Sequence, residues 1–340
     1  MSYNKIILIN QSTGYLTIDI ANALADKYDE VVLLYGILQP MNIRLSDKVK
    51  HARLVRYNRK STFSRLFTWL YASIQIFFKL LFVYRQHEIM YVTNPPMSYF
   101  PSLLLHRRFS IIVYDIYPDA LKNIGIRETS FVYKLWNICN KKIFASAHKI
   151  FTLSDGMQNC LTQYVAQDKI RVVPNWSHLS DMEPISKTDN PFIRKLKLEG
   201  KFIILYSGNI GYTHNLEVVV EAAHLLSNDR DIMFLFVGDG AKKKKLQQMV
   251  EEYTLSNCLF LDWQPSTQLI NTLSAADISV VTLNQTTAML SVPSKTYNLL
   301  AVGSPLLAIA SNNSELGKLV TLYKCGACFN GNDPRKIANY

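Results

Sequence analysis

Short apolar runs, each followed by a polar turn and then a stretch with helical spacing, recur along this chain in two successive series. In the first, strand-like runs lie at Lys5 to Ile9, Glu30 to Tyr35, Ile89 to Val92, Ile111 to Asp115, Ile150 to Leu153 and Ile170 to Val173. A helix is predicted from Thr17 to Lys27, and a long apolar one within residues 59–85. The second series places strands at Phe202 to Ser207, Met233 to Val237, Cys258 to Leu261, Ile278 to Leu283 and Leu306 to Ala310, with helices around residues 215–227, 241–253, 266–274 and 294–302. Strands joined by helices pair in parallel, because each crossover carries the chain back to the starting edge of the sheet. The prediction is an α/β chain of two doubly wound domains, 1–176 and 201–340, joined by a linker at 177–200 whose polar run SHLSDMEPISKTDNP holds two prolines. The two domains are expected to face each other across a cleft, with ligands at the carboxyl ends of the strands.

With 340 residues and 49% hydrophobic content the chain can fill two cores, which excludes a mainly disordered protein. Five cysteines without obvious pairing, and a start, MSYNKIILIN, that runs straight into a strand, predict a reducing cytosol. Cys325 and Cys328 form CGAC, but lack both the second pair a zinc site needs and the helix that a redox pair opens. The net charge of +11 is lopsided: residues 1–180 hold 22 Lys or Arg against 11 Asp or Glu, and residues 181–340 hold 15 against 15. The first domain is therefore matched to an anionic partner, either nucleic acid or anionic lipid.

The segment RKSTFSRLFTWLYASIQIFFKLLFVYR, residues 59–85, favours lipid over nucleic acid, since basic flanks enclose a dense aromatic and aliphatic run. Between Leu66 and Tyr84 its one charge is Lys79, which with Ser73 and Gln75 weakens a bilayer-spanning reading. The expectation is a helix lying in the membrane interface or docking a lipid-linked substrate, with burial in a soluble core as the alternative. Peripheral attachment to the cytoplasmic face of the cell membrane follows from the first of these.

Three strand-to-helix turns fall on one rim of the second domain: YSGNIGYTHNLE (206–217), FVGDG (236–240) and SVPSKTYNLLAVGSP (291–305). Neither glycine turn is a GxGxxG dinucleotide fingerprint, but together the three turns suit a diphosphate held by backbone amides. In the last turn Ser291 and Ser294 are good N-cap types, Pro293 suits a first turn, and Gly303 fits the left-handed position past the helix end. Lys295 opens that helix, where the dipole opposes a cation. It either points into water or shares an anion with the helix start.

The motifs SGNIGYTHNLEVVVEAA, FVGDG, FLDWQPSTQLINTLSAADISVV and VPSKTYNLLAVGSPLLA, in this order and spacing, resemble the C-terminal half of a GT-B retaining glycosyltransferase, most closely the family 4 enzymes of bacterial O-antigen, capsule or colanic acid synthesis. INQSTGYLTIDIANAL, VTNPPM, VYDIYPDAL, FTLSDGM and IRVVPNWS resemble landmarks of the acceptor-side half, so the likeness covers nearly the whole chain. The resemblance implies a nucleotide diphosphate sugar as donor substrate, a UDP-sugar by preference, with no cofactor and no essential metal. It also implies a lipid-linked glycan acceptor, and transfer with retention by front-face displacement. Where the family carries Arg after Gly208 and Lys five residues on, this chain has Asn209 and His214. The family's acidic pair falls on Leu290 and Asn298.

Those departures leave Lys295 as the cation for the diphosphate. Donor contacts are implied at Gly208, Asn209, Gly211, Gly238, Leu290, Ser291, Ser294 and Asn298, with residues 287–291 covering the sugar and phosphates, and His214 either touches the phosphate or lies in water. Trp263 and Gln264, after a strand end, are expected near the base, although Trp263 equally suits packing. On the acceptor side Asp115 orients the hydroxyl, Gly14 allows close approach, and Tyr117 and Asp119 complete the site, Asp119 being equally suited to capping a helix. Asp229-Arg230-Asp231 imitates a DxD metal motif but precedes a strand, away from the ligand rim. The run Lys242 to Lys245 reads as a solvated basic face or an anion contact. The replaced charges also leave open a non-catalytic partner subunit, or a sugar-nucleotide epimerase of the same fold. The C-terminal helix that family members place after this point is expected to be absent.

Overall fold

A computed structural model describes residues 4–39, 43–58, 60–119, 127–177, 179, 183–212, 214–283 and 292–340, and divides the chain after Pro174 into two compact units. Among the described residues the first unit contains β1 Lys5–Thr13, α1 Tyr15–Ala25, β2 Glu30–Leu38, β3 Val49–Arg53, α2 Thr62–Phe78, β4 Glu88–Val92, α3 Ser102–Leu105, β5 Phe109–Val113, α4 Phe131–Ser146, β6 Lys149–Thr152, α5 Asp155–Leu161 and β7 Ile170–Val172. Its strands pair in parallel in the order β3-β2-β1-β4-β5-β6-β7. Ile7, Leu8 and Ile9 of β1 are fully buried, as a central strand covered on both faces requires.

The connection from β1 to β2 moves one way across this sheet, whereas those from β3 to β4, β4 to β5, β5 to β6 and β6 to β7 move the other way. Right-handed crossovers therefore put α2, α3, α4 and α5 on one side of the sheet and α1 on the other. Two of the departures from the expected elements have a visible cause. The strand expected to stop at Ile9 continues to Thr13, because Asn10, Ser12 and Thr13 stay in register with Tyr35, Ile37 and Leu38. The edge strand β3, VKHAR, has no apolar alternation to announce it, since its solvated face carries charge.

In the second unit α6 Pro191–Leu196 precedes β8 Phe202–Ser207, α7 Glu217–Leu225, β9 Ile232–Val237, α8 Lys243–Glu252, β10 Cys258–Leu261, α9 Leu269–Leu273, β11 Ile278–Thr282, α10 Ser294–Ala301, β12 Leu306–Ile309, α11 Glu315–Tyr323, β13 Gly326–Phe329 and α12 Pro334–Asn339. The described strands form a parallel sheet in the order β10-β9-β8-β11-β12-β13. The expected linker is a correction: within 177–200, Leu179, Phe192, Ile193 and Leu198 are core residues of this unit. Asn190 caps α6 and donates 2.8 Å to the Asn271 carbonyl. The polar run concealed these few apolar anchors. The last helix, α12, buries Ile337 in the same core cluster as the α7 residues Val219 and Val220.

Candidate functional site

Three adjacent strands, β9, β8 and β11, end at one rim of the second unit, and the three predicted turns leave from there. Gly208 and Gly238, with φ of 148° and 137°, continue the ladder instead of opening it. Gly208 N–H donates 2.9 Å to the Val237 carbonyl, Gly238 N–H 2.9 Å to Leu261, and Ile210 N–H 2.8 Å to Asp239. These three amides are therefore spent inside the protein and do not reach a ligand. Among the described residues no acceptor reaches the N–H groups of Asn209 or Gly211. A Cβ on Gly238 would run into the Gly208 carbonyl, so the absence of side chains lets the two turns touch.

Lys295 lies in the first turn of α10. The helix is capped at Pro293 with no side-chain cap bond, and Ser294 is its first, exposed residue, not the cap. Gly303, at φ 72°, closes it as expected, with Gly303 N–H bonded to the Leu300 carbonyl and Ser304 N–H to Leu299, each at 3.0 Å. The Lys295 side chain reaches back from α10 to β8. Its Nζ stands 4.2 Å above the Tyr206 ring and against the Cα of Gly208, where a Cβ would collide with it.

That ammonium is buried, with no hydrogen-bond partner among the described residues. Burial pulls its pKa down to about 8. Among the described residues only the ring face of Tyr206 compensates the charge, and a cation–π contact returns less than water does. Tyr206 itself is buried, its hydroxyl donates 2.6 Å to the Asn209 carbonyl, and desolvation holds its pKa well above the usual phenol value.

His214 closes the same cluster. Its Nδ1 lies 3.1 Å from both the carbonyl and the hydroxyl of Thr282, at the end of β11. A carbonyl accepts only, so Nδ1 carries the proton and Nε2 keeps the lone pair. Burial and the nearby Lys295 lower its pKa, which leaves the ring neutral at pH 7. The loop is braced by Lys242, which donates 2.8 Å to the His214 carbonyl and pairs with Glu217. Lys245 also reaches Glu217, at 3.1 Å, and Lys243 meets Asp262 at 2.5 Å. Three of the four lysines at 242–245 thus hold carboxylates; Lys244 and Lys245 are exposed, as the solvated reading expects, whereas Lys242 and Lys243 are largely covered.

The remaining predicted donor residues are more dispersed. Asn298, one turn along α10, accepts 2.8 Å from the Ser177 hydroxyl, which ties the entry segment of the unit to the helix. Trp263 is exposed beyond β10, and Gln264 donates 2.9 Å to the Asp262 carbonyl in its own turn. Leu290, Ser291 and the rest of 287–291 lie outside the described residues. Asp229 accepts from the Asp231 amide at 3.0 Å in the turn before β9, at the opposite end of the strand from the glycine turns.

In the first unit the predicted acceptor residues divide by role. Gly14 follows β1 and caps α1, with open space where a side chain would be. Asp115 follows β5 and is exposed, and the Thr93 hydroxyl accepts from its amide at 3.3 Å; partial desolvation pushes its carboxyl pKa up. Tyr117 is a packing residue, stacked on Trp136 at 5.7 Å and edge-on to Trp69 at 5.8 Å. Asp119 accepts from the buried hydroxyls of Tyr133 at 2.6 Å and Tyr164 at 3.0 Å. It pins α4 and the segment after α5 to the loop, a structural duty; the helix expected after Pro118 runs into residues 120–126, outside the described residues.

Sequence reasoning missed Tyr206 and Thr282. The aromatic residue two positions before Gly208 was the available signal.

Two doubly wound parallel sheets in succession are the GT-B architecture of glycosyltransferases. Residues 188–340 match the family described as glycosyl transferases group 1, so the second unit is a glycosyltransferase domain of that group. The chain is 24% identical over 337 residues to the probable glycosyltransferase WbjE of Pseudomonas aeruginosa, covering 96% of this chain and 84% of that protein. It is 32% identical over 213 residues to the putative colanic acid biosynthesis glycosyl transferase WcaI of Escherichia coli (strain K12), over 61% of this chain and 52% of that protein. The crystal structure of HepE from Anabaena in complex with UDP superposes with a TM-score of 0.72 at 14% identity, covering 98% of this chain and 88% of that one.

Proposed function

We propose that the protein transfers a sugar from a nucleotide diphosphate sugar, a UDP-sugar by preference, to a lipid-linked glycan during synthesis of a bacterial surface polysaccharide. The reaction proceeds with retention and without an essential metal, at the cytoplasmic face of the cell membrane. One observation carries the reading: a buried ammonium, Lys295, stands without an anion among the described residues against the glycine turn of a group 1 glycosyltransferase domain. A diphosphate beside Gly208 supplies the missing counter-charge. The polysaccharide setting rests on the relatives, one of which is named for colanic acid synthesis.

In this reading the bond from the anomeric carbon to the diphosphate breaks with its electron pair going to the phosphate oxygen. Lys295 and the amides of Asn209, Gly211 and the start of α10 stabilise that growing charge. The acceptor hydroxyl bonds to the anomeric carbon on the same face and gives its proton to the departing phosphate, so no enzymic nucleophile is required. Asp115 orients the acceptor hydroxyl. Neutral His214 holds the turn through Thr282 and offers Nε2 as an acceptor.

A thermal-shift screen against UDP, GDP and their sugar conjugates tests the donor assignment, since a ligand bound to the folded state raises its apparent stability. A UDP-sugar is expected to give the largest shift, and Lys295→Ala is expected to lose most of it. An undiminished shift in the variant would remove Lys295 from the site.

A further inference from the structure

The outer face of α2 carries no charge. Phe63, Phe67, Leu70, Ile74 and Phe78 follow one another at helical spacing along it, all exposed, and Phe82 continues the line through a π-helical turn at Lys79–Val83. Trp69, Ala72 and Ile76 fill the core on the opposite face, so apolar side chains occupy both the outer and the core-facing side of a helix whose one charge is Arg65.

Phe63–Val83 is long and apolar enough to cross a bilayer, but it is fastened to the domain. Gln75 accepts from the Val55 amide at 2.8 Å, and buried Gln11 donates 3.1 Å to the Thr68 carbonyl. Spanning would strip those bonds and the buried face, whereas lying flat keeps both.

A second helix adds to this surface. On α4 the residues Phe131, Val132, Leu135 and Ile138 are exposed, interleaved with exposed Lys134, Lys141 and Lys142. The helices lie on the same side of the sheet by crossover handedness, and Tyr117 bridges them by packing between Trp69 and Trp136. Each follows the carboxyl end of a strand and runs back along the sheet, so both begin at the rim that holds Gly14 and Asp115. Phe63 and Phe131, 79% and 78% exposed, mark those two beginnings.

We propose that α2 and α4 together form one docking surface for an anionic lipid bilayer, with aromatic side chains entering the acyl boundary at the rim of Gly14 and Asp115 and the α4 lysines contacting the headgroups. The occupant is identified by chemistry: exposed apolar surface of this extent marks a partner, and the first half of the chain carries all of the excess positive charge. This inference rests on the lipid-linked acceptor proposed above and adds α4 and the orientation: the acceptor rim is held against the membrane that carries the acceptor.

Co-sedimentation of the full chain with phosphatidylcholine vesicles, with and without phosphatidylglycerol, tests it. The wild type is expected to partition at least tenfold more strongly to the anionic vesicles. Leu135→Glu/Ile138→Glu in α4 and Phe67→Glu/Ile74→Glu in α2 are each expected to reduce partition about tenfold or more, with the UDP-induced thermal shift retained. Retention of that shift shows that the variants are folded, and its loss in the wild type would count against the donor site alone. Wild-type partition by the α4 variant would overturn the two-helix surface. A concentration-dependent dimer in sedimentation velocity, dispersed by the same substitutions and indifferent to vesicles, would assign the face to a second copy of the chain instead.

Discussion

Lys295 is the residue on which the account turns, because an isolated buried ammonium is destabilising unless something offsets it. Its pKa in the folded protein, about 8, lies below the ordinary lysine value of 10.5. The unfolded chain therefore binds the proton more tightly, the folding penalty is complete below pH 8, and it fades as pH rises through 8 toward 10.5. Lys295→Met is expected to stabilise the ligand-free protein at pH 7 by at most about 3 kcal/mol, with the gain vanishing above the unfolded pKa. Urea titrations at pH 7 and near pH 10.5 measure this; a destabilised variant at pH 7 would mean that the amine is paired. Asp119 makes the opposite case. Removing its carboxylate leaves two buried tyrosine hydroxyls without their acceptor, so Asp119→Ala should lose about 3 kcal/mol in the same assay and keep the donor-induced shift.

At the scale of elements, the glycine turns discriminate between packing and simple conformational preference. Gly303→Ala places a Cβ in open space at φ 72°, and should cost about 1 kcal/mol without affecting donor binding. Gly238→Ala sets a Cβ against the Gly208 carbonyl at φ 137°, and should cost about 2 kcal/mol or more and abolish the UDP-induced shift. Equal melting temperatures for the two variants would refute the argument that the turns touch. All strands but β3 and the edge strand β13 were legible because buried parallel strands are written as continuous apolar runs, as in IILIN and VVLLY. The edge strand VKHAR and the core anchors Leu179 and Phe192 were not, because each depends on a partner far away in sequence. Lys295 was legible as a misplaced charge at a helix start, whereas its contact with Tyr206 required the fold. The duties of Asp119 and of the lysines at 242–245 were hidden for the same reason: Tyr164 lies 45 residues from Asp119, and Glu217 lies 25 from Lys242.

Across the whole molecule the two units divide the chemistry by charge. The second unit holds the glycine turns around Lys295, a buried cation without a hydrogen-bond partner among the described residues, and the first carries the excess of basic residues beside an uncharged helical face. Salt should separate them, since it screens exposed lysines far more than a buried ammonium. Raising ionic strength from about 0.05 to about 0.3 M is expected to weaken binding to anionic vesicles several-fold while UDP affinity changes less than about twofold. A parallel loss of both would indicate one shared exposed basic site.

The claim that a diphosphate completes the Lys295 pocket is met most directly by calorimetric titration of UDP into the wild type and Lys295→Met at pH 7. At least tenfold weaker binding to the methionine variant is predicted, with wild-type affinity falling as the pH is raised past 8 and the free amine loses its proton. Equal affinities, or a wild-type affinity that rises with pH, would contradict it.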